Sequence, residues 1–231
     1  MTIRLDAIIL AAGTASRMGR TKQLLPLAGK LLLEHVISQV RRFPFSRIHT
    51  VIGHDAHLIQ EQIYVDDRRF QWLLNPEFKE GLGTSLRKGL QEVIEGIEQR
   101  EAQSSVQGAV EAQLQANRKP EWLGAAAMVF LADLPFIQEN TISQIIARGL
   151  EQTQKDRRPF LIHPCYQDTS GHPVFWGNLQ ADVIKQIAGD RGGGGMRDVL
   201  RMSVTVQDPG ICTDIDTPEA YERAIRLAES R

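Results

Sequence analysis

The sequence predicts an α/β fold laid around a mostly parallel sheet, and three observations carry that reading. Ile8, Ile9 and Leu10 form an apolar run that breaks into a loop of small and cationic residues, as a buried strand feeding a loop does. Ala125 to Ala132 is apolar nearly throughout, the pattern of a strand buried on both faces. Between and beyond these runs, other strand-like stretches alternate with segments whose apolar residues recur at helical spacing.

The stretch from Ile8 to Leu25, IILAAGTASRMGRTKQLL, is the one the rest of the chain is built to serve. Gly13 and Gly19 let backbone N–H groups approach an anion, and Arg17 and Lys22 supply compensating charge. Two common phosphate motifs are absent. Only Gly13 and Gly19 punctuate the loop, so there is no GxGxxG, and Gln23 follows Lys22 where a P-loop needs Ser or Thr. A strand and turn with surface cations is the plain alternative.

Leu31 to Arg42 then reads as a helix with Leu33, Val36, Ile37 and Val40 on one face, stopped by Pro44. Ile48 to Ile52 reads as a strand, followed by Gly53 and a short helix from Ala56 to Ile63. His54, Asp55 and His57 lack a nearby fourth ligand and fit no zinc spacing, which leaves surface or capping roles. Gln71 to Leu74 is a third strand. It leads into NPEFKEGLGTSLRKGL, where Gly81 and Gly83 permit a tight connection and Thr84 or Ser85 caps a helix carrying Leu86, Leu90, Val93 and Ile94 inward. The same loop is placed to read a nucleotide's base or ribose. From Glu95 to Pro120 the chain turns rich in Gln, Ala and Glu, with few apolar anchors, and reads as a surface excursion.

The central strand that starts at Ala125 is expected to end at Asp133, before Pro135. A carboxylate at the carboxyl edge of a buried strand is a metal-site candidate, and a cap for the next helix is its plain alternative. Ile142, Ile145, Ile146 and Leu150 mark that helix. Phe160 to His163 reads as a strand, and Pro173 restricts the backbone at His172, which serves either structure or the positioning of an acceptor. Leu179, Val183 and Ile187 share a helical face. GDRGGGG, from Gly189 to Gly195, is a close-approach loop flanked by Arg191 and Arg197, or else a solvated turn. MRDVL opens a short helix and Val204 to Gln207 returns to the sheet. Pro218 sits in the first turn of a last helix with an Ala220, Tyr221, Ala224, Ile225, Ala228 stripe. Asp214, Asp216 and Thr217 gather at its entrance, as a cap with solvent-facing carboxylates or as magnesium ligands.

A formal charge of -1 over 231 residues argues against a dedicated nucleic-acid binder. Cys165 and Cys212 have neither CxxC spacing nor the density of a disulfide scaffold, which fits reduced thiols and a cytoplasmic compartment. The longest apolar run is far too short to span a bilayer, so neither membrane insertion nor export is expected.

Together LAAG with MG and Lys22, GLGTSLRKGL, LADLPFI, GHPVFW and DIDTP resemble the molybdenum cofactor cytidylyltransferase family, within the MobA-like nucleotidyltransferase superfamily. The resemblance runs from Ile8 through the last helix. It implies one domain over residues 1–231, a single doubly wound, mostly parallel Rossmann-like sheet with helices on both faces, to which the composition adds a polar excursion at 95–122. It implies transfer of CMP from CTP to the terminal phosphate of molybdopterin or molybdenum cofactor, with magnesium (Mg2+) held by Asp133 and Asp216. Lys22 and the loop Leu10, Ala11, Ala12, Gly13 then hold the triphosphate, and Arg17 stabilises phosphate charge. Gly83, Thr84 and Ser85 lie beside the nucleotide, and His172 faces the pterin acceptor. The product's recipient is a molybdoenzyme or its maturation chaperone. LAAG in place of LAGG leans toward cytidine. The long Gln-rich excursion, the run of four glycines and Lys30 after Gly29 depart from the family's pattern. Guanylyl transfer, a sugar-phosphate acceptor or a non-catalytic nucleotide- or molybdopterin-binding role are the alternatives.

Overall fold

The computed structural model describes residues 3–14, 19–107, 125–187 and 199–229. In chain order the strands are β1 (Arg4–Leu10), β2 (Pro26–Leu27), β3 (Lys30–Leu31), β4 (Ile48–Ile52), β5 (Phe70–Leu74), β6 (Ala125–Leu131), β7 (Phe160–Tyr166), β8 (Thr169–Ser170), β9 (Val174–Gly177) and β10 (Leu200–Thr205). The helices are α1 (Leu32–Val40), α2 (Ala56–Gln62), α3 (Leu82–Gln107), α4 (Glu139–Lys155), α5 (Ala181–Lys185) and α6 (Pro218–Glu229).

Side-chain alternation along the central strands builds a core on each face of the sheet. Ala7 and Ile9 of β1 join Ala126, Met128 and Phe130 of β6 on one side, where α1 adds Leu33, Val36, Ile37 and Val40 and α4 adds Ile142 and Ile145. Ile8 and Leu10 join Ala125, Ala127 and Val129 on the other, under Leu86, Leu90 and Val93 of α3 and Val183 and Ile184 of α5. Continuous apolar runs are therefore what this sheet demands, because both faces are covered.

Among the described residues the main sheet runs β5-β4-β1-β6-β9-β7-β10, with β8 attached to β7. β1 is parallel to β4 and to β6, β4 to β5, and β7 to β10. β9 runs antiparallel to both β6 and β7. The chain leaves β1 toward β4 and β5, then crosses back to place β6 on the other flank of β1. A crevice opens at the carboxyl ends of β1 and β6, where such a reversal puts it.

Several expected boundaries move. β6 stops at Leu131, two residues before Asp133, and the Ala132 N–H donates to Leu10 O at 3.1 Å. α3 starts at Leu82, so Thr84 and Ser85 lie inside its first turn and do not cap it. Asp133 does not cap the following helix either; Asp208 accepts from the Gln138 N–H and the Thr141 hydroxyl at its entrance. The return to the sheet spans Leu200–Thr205, which makes Leu200 a strand residue and not part of a helix. Val174–Gly177 proves to be an antiparallel strand. The β2–β3 hairpin was not expected; Ala28 and Gly29, both at positive φ (44° and 80°), make its two-residue turn. The Gln-rich excursion begins as a continuation of α3 to Gln107. Its remainder lies outside the described residues, as do Arg17, the GDRGGGG loop with Arg191, and the stretch holding Arg197.

Candidate active site

At the crevice, Leu10, Ala11, Ala12, Gly13 and Thr14 from the end of β1 line a cleft of about 400 Å³ with Lys22, Gln23, Ser85 and Asp133. Phe78, Lys79, Gly81 and Leu82 line it as well. β1 and β6 meet residue by residue, Leu10 opposite Leu131, so the loops after both strands emerge side by side. That register is why residues from opposite parts of the sequence face one space.

The cation at its mouth is Lys22, in a short 3-10 turn at Lys22–Leu24. Its ammonium donates to Asp133 Oδ2 at 2.8 Å and also to Asp216 Oδ1. Lys22 and Asp133 are only 13% and 19% exposed, whereas Asp216 is 44% exposed, so the Asp133 pair is the less screened of the two. Burial works against the Lys22 charge, but Asp133 and Asp216 outweigh it and hold the ammonium above its ordinary value. The Asp214 carboxyl is pushed up by burial and by the neighbouring Asp216. The preceding Thr21 hydroxyl donates to Asp55, and the Ile215 N–H donates to Asp133 O at 3.1 Å, tying the β6 loop to the strand of chain that bears Asp216.

Asp133 Oδ1 is buried without a hydrogen-bond partner among the described residues. An unpaired buried carboxylate oxygen beside a second carboxylate suits a hard divalent cation. Magnesium commonly takes one or two protein carboxylates and completes its shell with substrate phosphates and water, so the donor set fits although the described residues hold no group of three ligating side chains. Thr217 caps α6 through the Ala220 N–H at 3.2 Å while Asp216 pairs with Lys22, so capping and carboxylate placement coexist.

The other expected residues divide. Ser85 lines the cleft, and its hydroxyl accepts from the Asn75 amide at 2.9 Å. The Thr84 hydroxyl is spent inside the fold, its one proton shared between Glu77 O and Gly81 O at 3.0 and 2.9 Å while the oxygen accepts from Asn75. Gly83 is buried in the first turn of α3. His172, next to the cis peptide at Pro173, donates its backbone N–H to Ile211 O at 3.2 Å. Burial pushes its imidazole down to about 4, against the opposing pull of the Asp133 charge, so the ring is neutral at neutral pH. His54 and Asp55 contact each other at 3.3 Å at the entrance of α2, a surface arrangement. Cys165 and Cys212 are both free.

Asn75 and Gln23 were not singled out from the sequence. Asn75 is 3% exposed and organises the turn before α3, accepting from the Glu77 N–H as well as holding both hydroxyls. A polar residue directly after a strand and before a Pro was the one signal it gave.

Comparison with known proteins adds to this geometry. Residues 7–207 match the family described as MobA-like NTP transferase domain. The bifunctional protein GlmU of Pseudomonas paraeruginosa (strain DSM 24068 / PA7) is 47% identical over 68 residues, which is 29% of this chain and 15% of that protein's length. Rv0371c from Mycobacterium tuberculosis H37Rv superposes with a TM-score of 0.66 at 23% identity, covering 98% of this chain and 100% of that one. It is also known as a complex with manganese, at a TM-score of 0.61 and 22% identity over 96% and 98% of the two chains. Molybdopterin-guanine dinucleotide biosynthesis protein A from Archaeoglobus fulgidus gives a TM-score of 0.61 at 15% identity over 98% and 100%. No helix among the described residues is long and apolar enough to cross a membrane.

Proposed function

The chain belongs to the MobA-like NTP transferase domain family, and from that premise we propose that it transfers CMP from CTP to the terminal phosphate of molybdopterin or its molybdenum-loaded form. The observation that carries this reading is the Lys22 ammonium spanning Asp133 and Asp216 at the mouth of the loop-lined cleft. Two carboxylates and the Lys22 ammonium beside a cleft lined by Gly13 and its neighbours suit phosphoryl chemistry better than acyl or hydride transfer. An acceptor phosphate oxygen forms the new bond to the α-phosphorus, the bond to the β-phosphate oxygen breaks, and pyrophosphate leaves with that electron pair.

The acceptor is an anionic nucleophile already, so no side-chain base is required and positioning carries much of the rate. Lys22 remains protonated and stabilises charge on the departing pyrophosphate. Arg17 is assigned the same task. Asp133 and Asp216 would hold magnesium, which neutralises phosphate charge when bound. The manganese complex of Rv0371c supports a divalent cation in this fold. Ser85 and the turn built by Asn75 face the nucleoside, and neutral His172 helps seat the acceptor. The product is handed to a molybdoenzyme or a maturation chaperone.

Ala12 in LAAG favours cytidine. Guanylyl transfer is the second reading, favoured by the fold shared with the Archaeoglobus fulgidus protein.

The test is a matrix of CTP, GTP, ATP and UTP with molybdopterin and magnesium, following pyrophosphate release and nucleotide-linked product together. A CTP-selective product is expected. Product with GTP alone moves the assignment to guanylyl transfer, and no product beside an active control enzyme leaves a sugar-phosphate acceptor or a binding role.

A further inference from the structure

Gln23 has no task in the mechanism above, yet its side chain grips the opening loop at two carbonyls. It is 3% exposed, and its Nε2 donates to Ala11 O at 2.6 Å and to Gly13 O at 3.2 Å. The Ala12 carbonyl between them accepts from the His54 backbone N–H at 3.3 Å. Three successive carbonyls are thus held by the protein. Across a trans peptide the carbonyl and the next N–H point in opposite directions. Fixing the carbonyls of Ala11, Ala12 and Gly13 therefore fixes the N–H groups of Ala12, Gly13 and Thr14. None of those three N–H groups donates to a described residue, and all three residues line the cleft. Successive backbone N–H groups set in a concavity make an anion nest.

The other end of the Gln23 amide supports the same conclusion. Its Oε1 is buried with no partner among the described residues. Exchanging the two ends would set that oxygen against two carbonyl oxygens, so the loop dictates the amide's orientation at the expense of the side chain's own hydrogen bonding.

We propose that Gln23 is a positioning residue for the triphosphate: it acts through the loop, turning the Ala12 and Thr14 N–H groups toward the phosphates, while the His54 N–H sets the Gly13 N–H between them. This rests on the nucleotide reading of the cleft, not on the identity of the acceptor.

The experiment is calorimetric titration of wild type, Q23M and Q23E with CTP and magnesium without acceptor, alongside steady-state kinetics and thermal melts. Q23M keeps the length and loses both donors; Q23E sets carboxylate oxygens against the loop carbonyls. Each is expected to raise both the CTP dissociation constant and KM roughly ten-fold, the scale of one lost hydrogen bond, with kcat held within about three-fold. CTP binding equal to wild type in both variants overturns the proposal. Should either variant fail to fold, hydrogen exchange on wild type decides: CTP must slow exchange of the segment Ala12 to Thr14, and unchanged exchange overturns the proposal. A wild type that binds none of the four nucleoside triphosphates overturns the functional reading as well, which separates the two failures.

Discussion

Lys22 and Asp133 stand 111 positions apart in the chain and 2.8 Å apart in space. Asp216, 194 positions from Lys22, completes the same contact. One ammonium thus reports whether three remote segments have met, and the predictions that follow turn on it and on what surrounds it.

Removing the cation leaves two carboxylates facing one another and takes away the charge assigned to the leaving group. Lys22→Ala is expected to lower kcat/KM for CTP about 100-fold or more, the scale seen for loss of a preorganised stabilising group. The measurement is steady-state turnover on a variant whose far-UV circular dichroism matches wild type. Turnover within a few-fold of wild type would remove Lys22 from the mechanism.

Asp133→Asn and Asp216→Asn keep shape and delete charge. Asp133 is less exposed and carries the unpaired Oδ1, so its variant is expected to lose more activity and to need more magnesium for half-maximal turnover. Magnesium titrations of both variants check the order. An Asp133→Asn enzyme with wild-type turnover and magnesium dependence would overturn the metal assignment.

His172 makes stability depend on pH in one direction. Burial lowers its folded pKa from 6.5 to about 4, His163 pushes the same way and Asp133 resists. Between those values the unfolded chain takes up a proton that the folded ring refuses, so stability falls as pH drops through that window and is fully retained above 6.5. His172→Asn lacks this contribution. Its melting temperature is expected to decline less than wild type's from pH 7 to pH 4.5, and parallel declines would return His172 to a ring without linkage.

Gly149 lies within α4, where helix propensity alone predicts that alanine would add up to about 1 kcal/mol. A Cβ there would sit 2.4 Å from the Phe175 ring, which is fully buried and stacked on Phe160 with ring centroids 5.9 Å apart. Overpacking costs about 1–3 kcal/mol, so Gly149→Ala is expected to lower the melting temperature. A higher melting temperature would show that α4 can shift away from β9.

Much of the fold was legible because both faces of the sheet are covered. Ile48–Ile52 and Ala56–Gln62 follow directly from apolar runs and glycine punctuation, and the helix over Leu32–Val40 from its buried stripe. β10 is less legible: Leu200, Met202 and Val204 alternate with Arg201, Ser203 and Thr205, but at the sheet edge only Met202 and Val204 pack on the core and no side chain of the strand is fully buried. The Lys22, Asp133 and Asp216 meeting was expected from the family resemblance, and residue spacing could not have supplied it. Gln23 and Asn75 escaped notice for a different reason. Each acts by holding backbone or hydroxyl groups nearby, and a single amide side chain carries no spacing that announces such a contact.

The pairing of β1 with β6, Arg4 opposite Ala125 through Leu10 opposite Leu131, also sets a timetable for the growing chain. β1 is made well before β6, so its second flank stays bare until β6 has followed it. During that interval one edge of the central strand offers unpaired N–H and C=O groups, a template for wrong pairing with another nascent chain. Such long-range closure is slow relative to local helix formation. The Lys22 contact closes later still, once Asp216 has been made, and a chain stopped before β6 would present that bare edge.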